Sequence, residues 1–165
     1  MRDRRFVAVH RGGPLSKEHH CLLINWAHMC ATHVIPYFGQ SKIDARLNDA
    51  LKAAKAWERG EISVGEARKA SLEAIAVANE NSNPASIAVA RSVGHAVATA
   101  HMADHCIRAA EYALKAIKIS GQSIDAERKW QDEQLPLDVK DLVLSVRNER
   151  SDDQRTYTAK PKSRK

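Results

Sequence analysis

The sequence predicts an all-α protein: a compact bundle or array of about five to seven helices, with a short extended N-terminal segment and a disordered C-terminal tail. Three observations lead there. Alanine dominates the 165 residues, while glycine (7) and proline (5) are sparse and mostly fall between periodic segments. Within those segments apolar residues recur at three- and four-residue steps, the period of a helix with one buried face. Helix-start and helix-stop residues flank the segments at the right offsets.

In chain order, Phe6–His10 read as a short extended piece closed by the breaker Arg11-Gly12-Gly13-Pro14. Ser16 suits an N-cap, and a first helix runs to about Val34, with Leu22, Leu23, Trp26, Met29, Cys30 and Val34 on its apolar stripe. Ser41 is expected to cap a second helix, roughly Lys42 to Arg59, that Gly60 closes. Ser63-Val64-Gly65-Glu66 is a capping box, in which each end side chain satisfies the other residue's backbone N–H; it starts a third helix reaching about Asn79. Asn83 caps a fourth, with Pro84 at its first position. From Pro84 to Ile119 there is no proline and one glycine, but a single helix of that length is far above the usual size, so a break is expected near Thr99–His101. Ala85–Ala103 has Arg91 as its only charge and reads as a central buried helix. The stretch after it shows a polar stripe, Asp104, Arg108, Glu111 and Lys115, with two opposite-charge i,i+4 pairs and one wet face. Ile124–Gln134 and Leu137–Asn148 are helical pieces split by Pro136. Residues 148–165 contain no Leu, Ile, Val, Phe, Met or Trp, so a single helical domain is expected over 1–147 and a disordered basic tail over 148–165.

Lys+Arg (26) exceed Asp+Glu (20), a formal charge of +6. Residues 1–5 hold +2 of it and residues 148–165 hold +3, which leaves only +1 for residues 6–147. The folded body is nearly neutral, and nucleic acid becomes the weaker partner class: the tail residues Lys160, Lys162, Arg164 and Lys165 are interleaved with no aromatic but Tyr157. No apolar run approaches the roughly 20 residues of a membrane span, so no membrane partner is expected. Met1-Arg2-Asp3-Arg4-Arg5 leads into no apolar signal core, which points to the cytoplasm. Cys21 and Cys30 on one helix would sit about 13.5 Å apart along its axis, beyond disulfide reach; with Cys106 they read as reduced thiols.

No Gly-rich phosphate loop, Gly-x-Ser-x-Gly elbow, Cys-x-x-Cys pair or His-Glu-x-x-His motif occurs, so a non-enzymatic protein without a cofactor is expected. The unusual feature is histidine, eight residues in two clusters apart from His10. In one, His101 and His105 are i,i+4 and follow His95. An alternative set for zinc or nickel is His33, His101 and His105, the pair gripping one ion with a third ligand from the first helix. The other reading places Ala90, Gly94, Ala98, His101, His105, Tyr112 and Ala116 along one seam, where small residues let helices approach and the rings are neutral and hydrogen-bonded. In the second cluster His19 and His20 occupy a first helical turn and read as exposed, while His33 beside Cys30 reads as a core polar group or that third ligand. Trp26, Trp57 and Trp130 read as interhelical anchors. Arg11-Gly12-Gly13 offers backbone N–H groups to an anion, or simply turns the chain.

Four segments in order, His10–Leu15, Trp57–Arg68, Gly94–His105 and Tyr112–Ala116, resemble the Imm-five-like immunity proteins of bacteria, over Phe6 to about Arg147. The resemblance implies a largely α-helical protein that binds and neutralises a toxin made by the same or a kin cell. Candidate partner-binding or motif positions are Arg11, Trp57, His95, His101, Asp104 and His105. The implied partner is a bacterial toxin domain, and self-association as a homodimer stays open. Immunity proteins against nucleases are commonly acidic; a basic chain points instead to an acidic toxin surface, or to binding by apolar contact.

Overall fold

A computed structural model describes residues 2–39 and 41–158, with side chains through residue 153. Seven α-helices follow one another: α1 (Lys17–His33), α2 (Ala45–Glu58), α3 (Val64–Glu80), α4 (Pro84–Ala98), α5 (His105–Ile119), α6 (Ile124–Glu133) and α7 (Leu137–Thr158). The N-terminal segment is two short 3-10 turns, Arg4–Phe6 and Val9–Arg11, around one parallel bridge between Ala8 and Leu15. Its backbone bonds run across that bridge, from Val9 N to Leu15 O and from Leu15 N to Val7 O.

The helix starts are local chemistry. Ser16 accepts from His19 N, Asn83 from Ser86 N and Ser123 from Ala126 N, and the Ser63–Glu66 capping box is complete in both directions. At α2 the cap is Asp44, not Ser41: its carboxylate accepts from Arg46 N and also holds the Arg46 guanidinium, so the helix begins later than the serine suggests. Gly60 and Gly121, both at φ +74°, take the left-handed position that ends α2 and α5. The break after α4 falls where expected. Thr99 bonds its hydroxyl back to His95 O, and residues 99–104 form the turn into α5.

Helix α4 is the axis of the body, packed against α1, α2, α3 and α5. Its Ala88, Val89, Ala90, Val93, Ala96 and Val97 are buried, as the near-absence of charge requires. Its serines are spent on backbone, Ser92 donating to Ala109 O and Ser86 accepting from Gly39 N, while Ser71 of α3 donates to Gly94 O. A Cβ on Gly94 would lie 2.6 Å from Ile75 Cδ1, so Ile75 of α3 packs directly over the glycine and would have to shift for any side chain there.

Helices α6 and α7 close the other side, α6 against α5 and α7 against α1. Trp26 of α1 donates its indole N–H to Gln131 O at 2.8 Å. Arg147 of α7, 5% exposed, donates to Gln131 Oε1 and Asp132 Oδ1 and lies over the Trp26 ring. Helix α7 continues past residue 148 to Thr158: no glycine or proline interrupts it, Arg150 pairs with Glu111 at 2.7 Å, and Ser151 bonds back to Arg147 O. Residues 159–165 of the expected tail lie outside the described residues. Among the described residues no helix is long and apolar enough to cross a membrane.

Candidate functional site

The Gly94–His105 segment becomes the end of α4, the following turn and the start of α5. His95 and His105 face each other across it with Nδ1 atoms 3.0 Å apart, so one ring donates and the other accepts. His95 also stacks on Tyr112, with ring centroids 5.3 Å apart and planes within 8°. His101 lies in the turn rather than on α5, its ring 5.3 Å from that of His105. Of the two seam rings expected to be hydrogen-bonded, His105 is, to His95 outside that seam, whereas the buried Nδ1 of His101 has no partner among the described residues. Asp104 takes the cap position of α5 without making a side-chain cap bond.

Burial is the first reason these rings favour the neutral form. It pulls His95 down to about 4, helped by His105, Arg108 and Arg91. It also lowers His105, against the pull of Asp104, and lowers His101, to which His105, Arg68 and Arg11 add. The cluster opens on a cavity of about 450 Å³ lined by His95, Asp104, His105, Arg108, Tyr112 and Arg150.

The other predicted residues are dispersed. Trp57 is buried, with Lys17 Nζ 3.3 Å from its ring centroid, so it anchors the body instead of offering a free face. Arg11 is exposed, and the loop after it is a turn: Gly12 N donates to Val9 O and Gly13 N to Ala8 O, which occupies the N–H groups an anion would need. The set His33, His101 and His105 is not brought together. His33 pairs with the buried Glu127 at 2.9 Å and stacks on Trp130 at 3.6 Å, about 20 Å along α1 from the histidine that does reach the turn. Among the described residues no group of three or more His, Cys, Asp or Glu could hold a metal ion. That nearer histidine is His20, expected to be exposed but only 4% so, with Nε2 2.6 Å from Thr99 O. Its position in the first turn of α1 hid this, because only the packing of α1 on α4 turns that side inward. Cys30 and Cys106 are buried, and burial pushes both thiols well above the ordinary range; Cys21 is half-buried and also raised.

A second and larger feature adjoins the histidine cavity through Arg108 and Arg150. It is a groove of about 870 Å³ between α5, α6 and the end of α7. Leu114, Ile119 and Ile124 give it an apolar lining, and the two isoleucines are among the few large apolar residues left exposed. Six cationic side chains line it against two carboxylates, Glu111 and Asp153. Arg108 and Arg150 both engage Glu111, at 3.6 and 2.7 Å, in place of the i,i+4 pairing with Lys115 that the sequence suggests. The Arg108–Lys115 stripe announced one wall. The rest needs α6 and α7 folded back beside it, with Arg150 in α7 and not in a tail.

Residues 13–138 match the family described as Imm-5 like putative immunity protein, a span running from the N-terminal turn to the first residues of α7. No curated protein and no solved structure matches. The match covers well over half of the chain, and the helical body and the Gly94–His105 turn lie inside it. The chain therefore belongs to the Imm-5 like putative immunity protein family.

Proposed function

We propose that this protein acts in the bacterial cytoplasm as an immunity protein, binding a toxin domain and neutralising it without chemistry of its own. The family match across residues 13–138 carries this reading. The body supports it. The buried thiols hold their protons too tightly to act as nucleophiles.

Co-production with the product of the adjacent gene in a sensitive host tests the reading. Restored growth, together with a stoichiometric complex on size-exclusion chromatography, is the expected result. Undiminished killing in the presence of abundant folded protein would defeat it, as would an adjacent product without any toxic effect.

A further inference from the structure

The geometry points to the α5–α6–α7 groove as the docking surface, and to an acidic, apolar-flanked segment of a protein partner as its occupant. This rests on the immunity reading and says where, and by what chemistry, the toxin would be held. Two features select the occupant. Leu114, Ile119 and Ile124 give the groove apolar surface that no element among the described residues covers, with Ile119 41% exposed. Around them the charge is one-sided: six cations meet two carboxylates, of which Glu111 is shared by Arg108 and Arg150 and Asp153 has an interaction of its own, and neither Lys115 nor Lys118 has an ion-pair partner among the described residues. Carboxylates from a partner would supply those cations, and its apolar side chains would cover the isoleucines.

Other occupants fit less well. The chain's own residues 159–165 contain Lys160, Lys162, Arg164 and Lys165 and no acid, so the groove would repel them. A nucleic acid would find cations but no aromatic ring in the lining on which to stack a base. The adjoining histidine cavity extends the same face, with its rings neutral and Arg108 and Arg150 common to both.

The test has two arms. In the first, Lys115→Glu/Lys118→Glu is compared with Lys52→Glu/Lys69→Glu, an equal charge change on exposed lysines of α2 and α3, after thermal unfolding confirms both variants fold. Affinity for the toxin should fall about tenfold or more for the groove variant and less than about twofold for the control, with the wild-type complex weakening as salt rises. A groove variant that binds as tightly as the control overturns the docking site and leaves the immunity reading standing. In the second arm a short peptide of alternating leucine and glutamate is titrated into the wild-type protein and followed by amide chemical shifts, with its leucine–glutamine analogue as control. Shifts concentrated at Lys115–Ile124 with glutamate alone support the groove whether or not a toxin is in hand. Equal shifts with both peptides, shifts elsewhere, or single-stranded RNA displacing the glutamate peptide would each overturn it.

Discussion

Helices α4 and α7 both pack against α1, and they are held by different physics. On α4 the contacts are apolar and close: seven alanines and valines are buried, its serines spend their hydroxyls on backbone, and Gly94 lets Ile75 of α3 come within the space of a side chain. On α7 an apolar row, Val139, Val143 and Val146, is joined by a buried guanidinium that Asp132 and Gln131 bond and the Trp26 ring faces. Shape holds the first helix and directional polar bonds hold the second. A dry seam can lose little without the whole body loosening, whereas a polar strut can fail by itself.

The largest test removes the strut. Arg147→Ala leaves Gln131 Oε1 and Asp132 without their donor, and is expected to cost about 4 kcal/mol in denaturant unfolding. Amide exchange should speed up in α6 and α7 while α1–α5 keep their protection. Equal loss throughout would mean that the two regions are one cooperative unit and that the contrast has no energetic meaning.

On the other side, Ile107→Ala opens a cavity at a residue 1% exposed in α5 and is expected to cost about 3 kcal/mol. Here protection should fall everywhere. A loss confined to α5 would show the seam to be as separable as the strut.

Acid sets the two regions apart by a smaller amount. His95 is held at about 4 in the folded protein, against about 6.5 in the unfolded chain, so the unfolded chain takes up protons first as pH falls. The contribution is whole above pH 6.5 and is lost as pH drops towards 4. His20, His28, His101 and His105 shift in the same direction. Allowing for solvent at the partly exposed ring, the loss attributable to His95 is on the order of 1–2 kcal/mol, concentrated at the α4–α5 turn. Denaturant unfolding from about pH 7 to about pH 4.5 measures it, and His95→Asn should flatten the slope. An unchanged slope would remove His95 from the account of acid sensitivity.

Much of the molecule was legible before folding. Ser16, the Ser63–Glu66 box, Asn83-Pro84 and Gly121 act within a few residues of themselves, so their helix ends follow from local bonds, and the low charge of Ala85–Ala103 announced a buried α4. Asp44 displaced Ser41 because two good caps lay close together and the Arg46 side chain favoured one of them. The histidine site was half legible. His95, His101 and His105 do gather, but that His20 and not His33 lies at their turn depends on which end and which face of α1 pack there.

By itself, the sequence determined the helical class, most of the helix ends, the central place of α4 and membership of an immunity-protein family. The first three rest on caps, periodicity and composition, which act over a few residues or leave a pattern along the chain; the family rests on the ordered motifs between His10 and Ala116. Only the tertiary structure decided that His20 is buried, that His33 pairs with Glu127, that Arg147 is a strut and that a cationic groove lies beside α5. Each of these joins residues far apart in the chain, and a helix presents its faces the same way until another helix packs against one of them.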